Sequence, residues 1–165
     1  MTSDLNSINE LNKVEFIQKL GWVYEHSPWI AEHSWDYKPF ISLEDLTQKM
    51  EIVVQNASLS EQLQLIKSHP DLAARIDMAE ASVKEQSEAG LNSLSSDEYE
   101  EFHVLNNQYK DKFGFPFIFA VRGRDKTLIK AEMKRRIGLD QASELKEAIK
   151  QINFIASHRL SDLIK

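Results

Sequence analysis

The sequence predicts an all-α fold: a single-domain helical bundle over residues 1–165, with one short buried extended segment near residues 115–121. Three observations lead there. Only five glycines and four prolines interrupt 165 residues, so long helices are expected. Apolar residues recur at three- and four-residue spacing through most of the chain, the period of a helix with one buried face. Ser-x-x-Glu capping boxes stand before two of those runs, at Ser58–Glu61 and Ser95–Glu98, where serine and glutamate satisfy each other's end of the helix.

A first helix is expected from about Ser7 to Glu25, with Leu11, Val14, Ile17 (or Phe16), Leu20 and Val23 on one face. Ser27-Pro28 stops it. Trp29 to Phe40 reads as a short helix and a turn, with its aromatics forming a lid or dimer surface. Ser42 caps a helix from Leu43 to about Asn56. The Ser58 box opens a helix to Lys67 or Ser68, which His69-Pro70 ends. A turn over Asp71 to Asp77 leads into a helix that carries Glu85 and closes at Gly90. The helix after Ser95 places Phe102, Leu105 (or Asn106), Tyr109 and Phe113 on one stripe. Residues 113–121 then run Phe-Gly-Phe-Pro-Phe-Ile-Phe-Ala-Val. That run is apolar on every side and must be buried, as a short strand or as extended chain. Arg122-Gly123-Arg124-Asp125 turns the chain into a basic helix, Lys126 to Ile137, ended by Gly138. The last helix covers about Asp140 to Lys165, with Leu145, Ile149, Ile152, Ala156, Leu160 and Leu163 as its apolar face. No repeat, low-complexity stretch or linker divides the chain.

Bulk properties narrow the function. A chain of this length buries roughly 70% of its unfolded surface without needing a metal or disulfide. It has no cysteine, which removes thiolate zinc sites and a cysteine nucleophile. Net charge is −6 and basic residues alternate with acidic ones, against a nucleic-acid surface. No apolar run reaches the roughly 20 residues that span a bilayer. The N-terminus shows no basic-then-apolar signal, and the C-terminus is not Ser-Lys-Leu. The expectation is a cytoplasmic protein.

The chemistry-bearing residues concentrate between Ile66 and Gly90. His69 stands at a helix end beside Pro70. Ser82, Glu85 and Gln86 fall at i, i+3 and i+4 on one helix face, with Ala89-Gly90 beyond. An imidazole and a carboxylate brought together make a proton-transfer pair. The plain alternatives are a histidine that only meets the last helix carbonyls and a solvated helix face. Arg159 is odd in another way, because its spacing from Ile152, Ile155 and Ala156 puts a guanidinium within the apolar stripe. A buried permanent charge needs an anion or several acceptors. Arg159 is either a structural ion pair with its stem along the core or a bidentate clamp for a substrate carboxylate. The segment from Phe117 through Ile118, Phe119 and Ala120 to Val121 is either plain core or a source of backbone N–H groups outside helical bonding. Such groups can grip a carbonyl oxygen in a dry pocket. No His pair has metal-ligand spacing, and no P-loop, dinucleotide fingerprint or nucleophile elbow is present.

Six stretches together resemble a known family. They are His69-Pro70-Asp71-Leu72-Ala73, then Ser82-x-x-Glu85-Gln86-x-x-Ala89-Gly90-Leu91, then Phe113-Gly114-Phe115-Pro116-Phe117-Ile118-x-Ala120-Val121, then His158-Arg159-Leu160-x-Asp162-Leu163, and upstream Glu25-x-Ser27-Pro28-Trp29-Ile30-Ala31 with Pro39-Phe40. Their order and content look like 2-oxo-4-hydroxy-4-carboxy-5-ureidoimidazoline (OHCU) decarboxylase, of uric acid degradation. The likeness covers nearly the whole chain. Ser68 departs from the Gly that the family pattern places before the histidine. The resemblance implies an all-α homodimer that decarboxylates a small anionic ureidoimidazoline to (S)-allantoin with no cofactor. It implies His69 and Glu85 as catalytic residues. It implies Arg159, Pro70, Ser82, Gln86 and the backbone of Phe117, Ile118, Phe119, Ala120 and Val121 as substrate-binding. The alternatives are a lyase or hydrolase for another ureide, and a non-catalytic helical interaction module.

Overall fold

A computed structural model describes residues 3–72 and 94–165. Among them are eight α-helices and two short 3-10 helices, with no strand. The chain forms two compact units: Met1–Ser68 with Ile152–Lys165, and His69–Gln151.

The first unit opens with α1 (Leu5–Glu10) and α2 (Lys13–Leu20), followed by a 3-10 turn, Gly21–Val23. The single helix expected over Ser7 to Glu25 is therefore broken at Leu11–Asn12. The cause is local. Asn12 caps α2 through a reciprocal box with Glu15, and Leu11 is extended, with ψ 139°. The freed carbonyls find donors. Lys38 Nζ donates to Asn9 O at 3.0 Å and Leu11 O at 2.6 Å, and Trp35 Nε1 donates to Leu11 O at 3.1 Å. The donors come from the segment after α3 (Trp29–Ser34), where Trp35–Tyr37 makes a 3-10 turn before a cis Lys38–Pro39 bond. Asn9 also exchanges two hydrogen bonds with the Phe40 backbone. Phe40 is buried and stacked on Phe16 at 5.9 Å. The aromatics expected as a lid or dimer surface thus divide: Phe40 and Trp35 are used inside the unit, and Tyr37 stays exposed.

Ser42 caps α4 (Leu43–Asn56) by accepting from the Asp45 N–H. Ser58 and Glu61 form the expected box before α5 (Leu59–Ser68). The two chain ends meet in this unit. Ser3 N–H donates to Leu163 O at 2.7 Å, and Lys165 N–H donates to Ser3 O at 2.8 Å.

In the second unit, Ser95 and Glu98 box the start of α6 (Ser96–Phe113), and Gly114 ends it in the left-handed region at φ 76°, where glycine carries no steric cost. Phe102, Leu105, Asn106, Tyr109 and Phe113 are all buried on its inner face. Asp125 caps α7 (Lys126–Ile137), and Gly138 follows it, as expected. The basic face of α7 is paired: Lys126 meets Glu98 at 3.0 Å, and Lys130 and Lys134 both reach Glu101.

The last helix, α8 (Gln141–Leu163), begins in the second unit and ends in the first. Its buried face differs from the expected one. Ile152, Ala156 and Leu160 are buried as expected, but Leu145, Ile149 and Leu163 are only half-buried. Glu144, Ala148, Gln151 and Ile155 take the inner positions instead. Two of these four are polar, so a purely apolar reading places the stripe one residue out of register. Their burial is offset by partners described next.

Candidate active site

His69 and Pro70 close α5. Proline cannot donate to the helix and restricts the residue before it, so the chain turns at the histidine. The imidazole is 4% exposed, whereas Pro70 is exposed. Asp71, next along, pairs with Lys110 of α6 at 3.0 Å. Ser82, Glu85 and Gln86 lie outside the described residues.

Residues 115–121 form a buried segment without helical or ladder bonding. Its fixed shape is set by α6, α7 and α8. Tyr109 packs edge-on against Phe117 at 5.2 Å and Phe115 at 6.0 Å. Arg136, fully buried on α7, lays its guanidinium over the Phe117 ring at 4.5 Å. The same guanidinium donates from Nη1 to Ile118 O at 2.6 Å and from Nε to Glu144 Oε1 at 2.7 Å. Its Nη2 is ion-paired to Glu144. The Tyr109 hydroxyl donates to the same Glu144 carboxylate. Burial and this carboxylate push the Tyr109 phenol well above its ordinary pKa, so it remains a donor. A buried ion pair costs several kcal/mol of desolvation per ion, by order of magnitude, unless neighbours satisfy it. Here a phenol, a backbone carbonyl and an aromatic face share that role. On the segment's other anchor, Gln151 Oε1 accepts the Ala120 N–H at 3.0 Å, while its Nε2 donates to Glu147. Sequence reasoning missed Arg136, Glu144 and Gln151. The available signal was a glutamate and a glutamine seven residues apart within an otherwise apolar helix face.

Arg159 stands in the first unit with its side chain 15% exposed. Its Nη1 donates to Val23 O at 3.1 Å and its Nη2 to Glu25 Oε1 at 2.6 Å. The structural ion pair is thus present. Nη1 also lies 3.5 Å from Trp22 O, and the guanidinium has five N–H donors, more than these three contacts use. Glu25 is presented by a tight turn: His26 has φ 48°, an uncommon value for a non-glycine residue, and Ser27 Oγ donates to Glu25 O at 2.8 Å. Gly21 makes room for this turn, since a Cβ there would lie 3.3 Å from Pro28 Cβ. Glu25 entered the sequence reading only as part of a motif, and the structure gives it a partner. Deeper in the unit, the Tyr24 hydroxyl donates to Asn153 Oδ1 at 2.8 Å. Burial, with Glu51 nearby, pushes that phenol up.

The first unit also has an open pocket of about 370 Å³ lined by Trp29, His33, Asp36, Tyr37, Asn56 and Glu61 among others. None of the predicted site residues lines it. Two carboxylates disfavour an anionic ligand there. Among the described residues, no group of three or more His, Asp or Glu has metal-site geometry, and no helix is long and apolar enough to cross a membrane.

Eight helices with no strand among the described residues define an all-α protein. The chain is similar, over 96% of its length and at 42% identity, to the 2-oxo-4-hydroxy-4-carboxy-5-ureidoimidazoline decarboxylase of Halalkalicoccus jeotgali, of which it covers 90%. It is 42% identical over 97% of its length to the uric acid degradation bifunctional protein PucL of Bacillus subtilis, spanning 32% of that longer chain. Among solved structures, (S)-allantoin synthase superposes with a TM-score of 0.80 over 98% of this chain and 54% of that one, at 29% identity. The model of the OHCU decarboxylase family matches residues 9–161, and this chain belongs to that family.

Proposed function

We propose that the protein decarboxylates 2-oxo-4-hydroxy-4-carboxy-5-ureidoimidazoline to (S)-allantoin and carbon dioxide in uric acid degradation, without a cofactor. The observation that carries this reading is the family match across nearly the whole chain. The substrate is an anion with a hydroxyl beside its carboxylate and a ring C=N. When the bond to the carboxylate breaks, its electron pair enters the conjugated C=N system and carbon dioxide leaves. The hydroxyl gives up its proton as it becomes the ring carbonyl, the ring nitrogen of the former C=N gains one, and a ring carbon is protonated on one face. One proton is taken up for each carboxylate lost, so charge balances.

His69 and Glu85 handle the proton steps in this reading. A buried imidazole suits that role, since its unperturbed pKa lies near neutrality. Arg159 positions the substrate anion, supported by its fixed orientation against Val23 O and Glu25. Gln86 and backbone amides of residues 117–121 hold the ring and ureido oxygens, with Pro70 and Ser82 lining the site. The protein acts as a single domain and a homodimer in the cytoplasm, and sedimentation of the purified protein tests the dimer.

The deciding experiment mixes the protein with freshly generated substrate and follows the chirality of the allantoin. The substrate also decays unaided to racemic product, so enantiomeric excess is the informative readout. An excess of (S)-allantoin is expected. Racemic product at the uncatalysed rate would overturn the reading.

A further inference from the structure

The segment that includes Phe117–Val121 has two kinds of backbone group. The Ile118 carbonyl and the Ala120 amide are consumed inside the unit, by Arg136 and Gln151. Among the described residues, the amides of Phe119 and Val121 have no acceptor, although both residues are buried. Buried N–H groups are nearly always paired, so amides of this segment that lack a protein partner point to a ligand oxygen.

We infer that Gln151, together with the Arg136–Glu144–Tyr109 cluster, is a positioning device: it anchors the segment at the Ala120 amide and the Ile118 carbonyl so that the Phe119 and Val121 amides face the substrate's oxygens. This rests on the function proposed above. Gln151 touches no substrate. It acts by taking the Ala120 amide out of competition and fixing the segment's rotation.

The test starts from Gln151→Leu, which keeps volume and removes the acceptor. The expected result is a fall in kcat/KM of up to about a hundredfold, the scale of a misplacement of about 1 Å, and a lower enantiomeric excess. The double variant Glu147→Gln with Gln151→Glu restores an acceptor at position 151 and keeps the 147–151 pair. It should recover most of both losses. Wild-type kcat/KM and enantiomeric excess in Gln151→Leu would overturn the inference while leaving the proposed function intact. Failure of the wild-type protein to produce an excess would instead sink the function itself. Should the leucine variant not fold, the wild-type protein still decides. On titration with allantoin, the Phe119 and Val121 amide resonances should shift more than that of Ala120. A shift centred on Ala120 would refute the assignment.

Discussion

At the scale of single residues, His69 and Arg159 make separable claims. His69→Asn keeps size and polarity but removes the titratable group. Turnover should fall roughly 10²- to 10⁴-fold, with an unchanged far-ultraviolet circular dichroism spectrum. Near-normal turnover would remove His69 from the mechanism. Arg159→Lys keeps the charge and loses the planar fork. One charge-assisted hydrogen bond contributes about 1.5–3 kcal/mol, so kcat/KM should drop about tenfold to a hundredfold. Steady-state kinetics unchanged from wild type would leave Arg159 with only its structural contacts to Glu25, Val23 and Trp22. Arg159 was legible because a permanent charge on an apolar stripe is conspicuous. Glu144 and Gln151 were not. A polar residue on a helix face reads as its solvated side until the partners are known, and those partners, Arg136 and the Ala120 amide, lie 8 and 31 residues away. Sequence periodicity has no access to a pairing of that range.

Among the elements, those bounded by local chemistry were readable and those bounded by distant contacts were not. Helices α4, α5, α6 and α7 start at side-chain caps and stop at Gly138, Gly114, Pro70 or a change in pattern, all visible within a few residues. The break between α1 and α2 depends on Lys38 and Trp35, more than 20 residues away. Apolar spacing runs on through it. Asn12→Ala removes the α2 cap and should cost about 1 kcal/mol, seen as a lower urea midpoint. The break itself should persist, because Leu11 O keeps its donors. Helix α6 offers a pH test. The Ser95 amide, then Lys126, hold the Glu98 carboxyl at a pKa of about 2, below its ordinary value. A carboxyl depressed on folding adds stability above its unfolded pKa and loses it as pH falls through the folded one. NMR titration should therefore find Glu98 still ionised at about pH 3. In Lys126→Met the midpoint should rise yet stay below the ordinary value, since the Ser95 amide remains. A midpoint at the ordinary carboxylate value in the wild-type protein would refute the cap.

For the whole molecule, the two units differ in how they use the chain. The second is one continuous stretch, 69–151, and the first joins residues 1–68 to the last fourteen, 152–165. Those last residues bring Ile152, Ile155, Leu160 and Ile164 into the interior. Burying each such side chain contributes roughly 1.5–3 kcal/mol, together on the order of a domain's entire net stability. Ending the chain at Gln151 should therefore abolish cooperative unfolding of the first unit. All three tryptophans, Trp22, Trp29 and Trp35, belong to that unit, so their fluorescence reports it alone. A sharp tryptophan transition in the shortened chain would show that the first 68 residues are self-sufficient.

The meeting of Ser3 with Leu163 and Lys165 has a consequence for biosynthesis. Translation delivers the two sides of that clasp far apart in time, with residues 69–151 made in between. Residues 69–151 are complete while the ribosome still withholds the segment that the leading 68 require. Residues 3–68 are thus made before residues 69–151 yet reach their native state after them, and until residues 152–165 emerge they carry unsealed apolar surface, the condition in which nascent chains call on chaperones.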